Sequence, residues 1–305
     1  MVDRERARRV GAAVFLGAVA AFAWFGLRGR FDEIGRALAD TSLVGALAAL
    51  VLVLVGLLST GVLWLRLMVC LDARMPLVDA LGTFFVGQLG KYLPGSVWSI
   101  GAQAELARRH GVPARTTVTA GLLFLGYHVD TAVLLAAGTL LAGGLESPWP
   151  SWLSWIALGV SAGLLMPALL RRLAGQVAGQ QVRLGWMDTV WVVALMGVAW
   201  LAYAGALVLL RPGARWDELV ALGAAFAAAY AVGVLVVFAP AGVGAREAVF
   251  VLLLTPVIGA APATALALLA RVVHTVADAL MATGWALWAR RSGSRDPARV
   301  RAAAP

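Results

Sequence analysis

Leu43–Leu65, LVGALAALVLVLVGLLSTGVLWL, is the stretch that decides the fold. It contains no charged side chain and no proline. A helix rises about 1.5 Å per residue, so about 20 apolar residues cross the hydrocarbon of a bilayer. A helix also satisfies its own backbone hydrogen bonds, which lets such a run sit in oil where an open strand cannot. Working outward, runs of the same kind recur at Val10–Leu27, Thr117–Gly143, Trp152–Leu170, Met187–Leu210, Leu219–Phe238 and Ala263–Trp288.

The whole chain of 305 residues is 61% hydrophobic and 13% charged. A water-soluble domain is nearer half apolar and about a quarter charged. The reading is an all-α polytopic transmembrane helical bundle, a single integral membrane domain over 1–305. The net charge of +9 sits in loops and tails, where arginine sets topology and meets anionic headgroups. No basic stripe interleaved with aromatics occurs, so nucleic acid is not the expected partner. Cys70 is the sole cysteine and forms no internal disulfide.

Charge asymmetry predicts an inner (plasma) membrane protein with both termini in the cytoplasm. Arg4, Arg6, Arg8 and Arg9 precede the first run, which reads as an uncleaved signal anchor because no small-residue site follows and more spans do. Arg28–Ser42, with Phe31, Ile34 and Leu38 at helical spacing, reads as a short surface helix ending where Thr41 and Ser42 cap the next span. The loops bearing Arg66 and Arg74, then Arg108, Arg109 and Arg115, then Arg171, Arg172 and Arg183, belong on the side of the N-terminus. So does the Arg-rich tail over 290–305. An even number of crossings follows, about eight, and Ala245–Ile258 must supply the eighth beside the seven longer runs despite its short length.

Two segments break the pattern. Ala80–Gln88 is too short to span, and it runs into Gly90-Lys91-Tyr92-Leu93-Pro94-Gly95, where a helix cannot continue smoothly. Helical character resumes over Ser96–Arg109, so Val78–Arg109 reads as a re-entrant hairpin with its tip near the midplane. The second break is Phe238-Ala239-Pro240-Ala241-Gly242-Val243-Gly244-Ala245-Arg246-Glu247. Each is followed by a span carrying a histidine and an aspartate: His128 and Asp130, then His274 and Asp278. Interrupted helices in corresponding places mark the substrate site of many transporters. They suggest an inverted repeat with halves 10–143 and 152–289, although residue identity between the halves is slight.

The intramembrane polar residues are the candidate site. A charge near the bilayer centre costs about 2.5–3.5 kcal/mol on insertion scales, so those present are paired, hydrated or functional. Lys91, the only lysine, adjoins broken backbone and a new helix N-terminus near Ser96, a combination suited to a phosphate; the bland alternative is a lysine snorkelling to the interface. Arg246 suits bidentate phosphate contact or an ion pair between helices. Arg246 and Glu247 are sequence neighbours and find separate partners. Arg271, His274 and Asp278 share one helical stripe, from which Asp278 can balance Arg271 or Arg246. His128 and Asp130 point in different directions; with Arg271, His274 and Asp278 they read as proton-coupling groups or as structural polar contacts. The substrate-binding candidates are therefore Lys91, Tyr92, Pro94, Gly95, Ser96, Pro240, Gly242, Gly244, Arg246 and Glu247. Three distant histidines make no metal site, and Gly242-Val243-Gly244 lacks both the third glycine and the strand of a dinucleotide loop. No cofactor and no catalytic residue is expected.

Gly87-Gln88-Leu89-Gly90-Lys91-Tyr92-Leu93-Pro94-Gly95-Ser96-Val97-Trp98, followed by Arg108-Arg109-His110-Gly111-Val112, resembles the signature region of the lysylphosphatidylglycerol synthase transmembrane, or flippase-like, family. Pro240-Ala241-Gly242-Val243-Gly244-Ala245-Arg246-Glu247 resembles that family's later Pro-x-Gly-x-Gly-x-Arg-Glu element. The resemblance implies a lipid-handling bundle related to the part that moves aminoacylated phosphatidylglycerol between leaflets. The family's full-length synthases continue into a large aminoacyl-transferase domain, whereas only a short tail follows Trp288 here. The expectation is thus a phospholipid translocase for an anionic or aminoacylated headgroup, its partner a membrane lipid. The alternative is a non-enzymatic accessory subunit presenting a lipid or polyprenyl phosphate to a separate cell-envelope enzyme. A third reading, a membrane-embedded transferase using Glu247 and Asp278, has less behind it. Composition says nothing of oligomeric state.

Overall fold

The computed structural model describes residues 41–93, 97–146, 149–236 and 242–291. The expected span Val10–Leu27, the surface helix up to residue 40, Pro94, Gly95, Ser96, Pro240 and most of the Arg-rich tail lie outside the described residues. Within them the chain is all-helical: α1 (Leu43–Cys70), α2 (Leu77–Gln88), α3 (Trp98–Arg108), α4 (Ala114–Leu141), α5 (Ser151–Leu164), α6 (Pro167–Ala178), α7 (Trp186–Leu210), α8 (Leu219–Leu235), α9 (Ala245–Ile258) and α10 (Ala260–Arg291). Short 3₁₀ turns cover Leu89–Tyr92 and Trp216–Glu218.

Five helices are long and apolar enough to cross a membrane: α1, α4, α7, α8 with its leading turn, and α10. The expected single span Trp152–Leu170 is instead two helices, α5 and α6, bent by 63°. The cause is Pro167, which opens α6 and forces Met166 out of helical conformation, at ψ 119°. Counted as one span, that pair makes a sixth. The short α9 falls below the length of a crossing helix.

α1 and α7 pack antiparallel along their length, joined by close side-chain packing and by polar contacts, since lipid is as apolar as leucine and burial alone gives little drive. Thr41 donates to the Leu210 carbonyl at 3.1 Å, Ser59 to that of Leu195 at 2.7 Å, and Arg66 pairs with Asp188 at 2.5 Å. The outer face of α1 shows Leu43, Leu47, Val51, Val55, Leu58 and Val62, an exposed apolar stripe that hydrocarbon would cover. Several basic residues gather at one end. There the Arg183 amide donates to the Cys70 carbonyl at 2.8 Å, Gln180 to that of Leu71 at 2.7 Å, and Arg66 meets Asp188. His110, just beyond α3, lies 3.8 Å from Asp79 at the start of α2.

Two helical hairpins enter this frame from opposite ends. The first, α2 and α3, begins and finishes at the basic end. Its arms run antiparallel so closely that a Cβ on Gly90 would stand 2.6 Å from the Ser99 amide nitrogen. The second, α8 and α9, enters from the end where Thr41 meets Leu210. Its arms close at Gly242, whose φ of 68° and whose place against Gly233 exclude a side chain: a Cβ there would lie 2.7 Å from the Gly233 Cα. After Gly259 the chain turns into α10, which packs against α9 and then against α2, with Trp285 stacked on Phe85 at 6.4 Å. α10 therefore touches both hairpins.

Candidate functional site

Where the hairpins approach each other, a cavity of about 150 Å³ opens in the middle of the bundle. It has room for about ten water-sized spheres, enough for a polar headgroup. Apolar walls come largely from α1, α2 and α4; the charged groups come from the two breaks and from α10.

α10 organises the charges. Arg271, Thr275 and Asp278 recur at intervals of four and three, which stacks them on one face. Lys91 reaches Asp278 at 2.6 Å, and the Tyr92 hydroxyl donates to the same carboxylate oxygen at 2.7 Å. Thr275 lies 3.3 Å from that hydroxyl. Asp278 thus balances Lys91, where the sequence suggested Arg271 or Arg246. At the second hairpin Arg271 pairs with Glu247, whose other oxygen accepts from the Gly244 amide at 2.6 Å and so caps α9.

Arg246 is placed differently. Its guanidinium lies 4.5 Å from the centre of the Phe226 ring and 5.7 Å from that of Tyr230. Among the described residues no carboxylate stands within ion-pair distance of it. Ring stacking holds the cation but leaves the N–H donors at the guanidinium edge for other acceptors.

The histidines complete the lining. His274 places Nδ1 2.8 Å from the Ala270 carbonyl. Only a donor satisfies a carbonyl, so that bond assigns the proton to Nδ1 and leaves Nε2 as a bare acceptor. His128 stacks on Tyr230 at 4.2 Å, with Nδ1 3.4 Å from the tyrosine hydroxyl. Both Nε2 atoms are buried and lack a hydrogen-bond partner, as does Oε1 of Gln103, and all three residues line the cavity. These three atoms themselves are closed off from the cavity.

The structure brings together Lys91, Tyr92, Gly242, Arg246, Glu247, His128, Arg271, His274 and Asp278. Gly244 is not part of the lining; it acts through its amide on Glu247 and its φ of 86°. Asp130 faces away, toward Ser161 on α5. The sequence reading missed Tyr203, Phe226, Tyr230 and Gln103. A signal existed: three of the four tyrosines sit in this wall, although two of them lie in otherwise apolar spans. No group of three metal-ligating side chains occurs among the described residues.

A search among curated proteins finds none that matches this chain. The family described as Lysylphosphatidylglycerol synthase TM region matches residues 10–282, both breaks and the spans around them included. A match over nearly the whole chain, on a helical bundle whose opposed hairpins enclose a polar cavity, makes this protein a member of that family of membrane proteins tied to lipid handling.

Proposed function

We propose that this chain is a phospholipid translocase of the inner membrane, binding a headgroup phosphate between its two hairpins. The observation that carries the reading is Arg246: a cation on the wall of an interior cavity, seated on aromatic rings, with no carboxylate partner among the described residues. A guanidinium is suited to a phosphate because its parallel donors match two phosphate oxygens. Lys91, Tyr92, Gly242 and Glu247 line the same cavity and shape its polar end. Oppositely directed hairpins support the reading of two inverted halves, and rocking one half against the other would expose the cavity to each leaflet in turn. The end that gathers Arg66 and Arg183 is then the cytoplasmic one, the side to which the charge asymmetry of the sequence assigns both termini.

The test is leaflet exchange of a labelled anionic phospholipid in proteoliposomes. Arg246→Ala is expected to slow exchange at least tenfold, and Lys91→Ala to impair it by leaving Asp278 without its partner. Wild-type exchange no faster than in protein-free liposomes ends the proposal.

A further inference from the structure

The elbow between α5 and α6 lies apart from the central cavity, to which neither helix contributes a lining residue. α5 has 14 residues, a rise of about 21 Å against about 30 Å of hydrocarbon. α6 leaves it at 63°. With α5 along the membrane normal, the 12 residues of α6 advance only about 8 Å farther toward the surface. That is the depth, about 5–10 Å, at which interfacial amphipathic helices rest. The surface reached is the basic end of the bundle. Arg171 donates to the Leu184 carbonyl at 3.4 Å, and Gln180 and Arg183 bond to the end of α1.

α6 presents three faces. Pro167, Ala174 and Ala178 are buried against the bundle. Leu169, Leu173 and Val177, at every fourth position, form an exposed apolar stripe on one flank. Arg171, Arg172 and Gln176 are exposed on the other. Among the described residues no carboxylate stands within ion-pair distance of Arg171, Arg172 or Arg183. Trp186 and Trp191, at the start of α7, are exposed at the same end, as rings of a headgroup belt are. A helix in water would gain nothing from the leucine stripe, and one sunk in oil would strand both arginines. Only the boundary suits both flanks.

We propose that α6 is a surface anchor seated in the headgroup layer at the basic end, where Arg171 and Arg172 gather anionic phospholipid beside the protein. The charges choose the lipid. Two arginines without a protein anion attract a leaflet of net negative charge, and a zwitterionic leaflet offers them no such field. The anchor is independent of translocation, since it holds lipid outside the cavity.

The test uses the full chain in nanodiscs of equimolar phosphatidylserine and phosphatidylcholine. Gln176→Cys and Val177→Cys, made one at a time, place a thiol at the same depth on different flanks, while Cys70 is buried and serves as the blank. A membrane-impermeant maleimide is expected to label position 176 about tenfold faster than position 177. Equal labelling puts α6 in water, open to a protein partner, and overturns the proposal. A fluorophore attached at position 177 then reports its neighbours, with bromine on the acyl chains of one lipid at a time. Quenching is expected to show phosphatidylserine enriched by about fivefold for each engaged arginine, less as salt rises. Arg172→Gln is expected to lower the enrichment about fivefold, and Arg246→Met to leave it unchanged. Equal quenching by the two lipids overturns the anionic selection on the native arginines alone, whatever becomes of the variants. Enrichment lost with Arg246→Met would assign the captured lipid to the cavity and overturn the anchor.

Discussion

At the tip of the first hairpin, Lys91 meets Asp278 at 2.6 Å and Tyr92 bonds to the same oxygen. At the second, Arg246 lies over Phe226 and Tyr230, and it is the neighbouring Glu247 that α10 engages, through Arg271. Two breaks of similar composition therefore spend their cations differently. α10 supplies an anion to one hairpin and a cation to the other, so the Lys91 charge is absorbed by the scaffold while the Arg246 charge is left facing the cavity. Sequence motif alone does not say which cation is structural; the partner on a distant helix does.

The strongest way to break that contrast is to remove the shared partner. Asp278→Ala strips both Lys91 and Tyr92 of their acceptor in the bundle interior. Breaking a buried pair costs about 3–5 kcal/mol. Lys91 keeps 35% of its side chain exposed, which lowers the expected loss to on the order of 2–4 kcal/mol. Thermal unfolding in detergent reads it, and Lys91→Met with Asp278→Leu should recover more than half by replacing the pair with apolar contact. A single variant that melts with the wild type would mean that the pair does not hold the tip of the first hairpin.

A second pair of variants tests whether the hairpins close by the same device. Gly242→Ala combines a left-handed backbone, penalised by about 1–2 kcal/mol, with a Cβ 2.7 Å from the Gly233 Cα. Gly90→Ala meets only the steric part, against the backbone of Trp98 and Ser99, and overpacking of that kind costs about 1–3 kcal/mol. The expected order of melting temperatures is wild type, Gly90→Ala, then Gly242→Ala. Gly90→Ala at the wild-type temperature would show that the first hairpin tolerates separation where the second does not.

The spans and both breaks were legible because each is a local matter. An apolar run such as Leu43–Leu65 is too long for anything but a spanning or deeply buried helix, and Pro and Gly interrupt a helix wherever they fall. The bend before Pro167 was equally legible and was overlooked, because the surrounding hydropathy continues unbroken from Trp152 to Leu170. The ion pairs were not legible. Lys91 and Asp278 are far apart in sequence, and spacing on α10 offered Asp278 to either arginine with equal force. Nor does periodicity separate a tyrosine facing a cavity from one facing lipid: α7 and α8 are apolar all round, so Tyr203 and Tyr230 lie on no distinctive stripe. Only packing shows that these rings, with Phe226, carry Arg246 and flank the histidines.

The smallest expected effect on stability is the most informative about function. Arg246→Met removes cation–ring contacts worth about 0.5–2 kcal/mol. It also removes a cation with no carboxylate partner among the described residues, which offsets part of that loss. The net change in unfolding free energy should stay within about 1 kcal/mol. Lys91→Met, by contrast, leaves Asp278 facing the cavity with the Tyr92 hydroxyl as its remaining hydrogen-bond partner, so it should destabilise more. The two substitutions remove the same charge from the same cavity, and only the partner differs. Comparing their melting curves therefore isolates the partner. If Arg246→Met costs as much as Lys91→Met, both cations are structural, and the cavity loses the free charge on which headgroup binding depends. If it costs little while lipid exchange falls, the guanidinium is held by the fold for a ligand rather than by a ligand-like group of the fold.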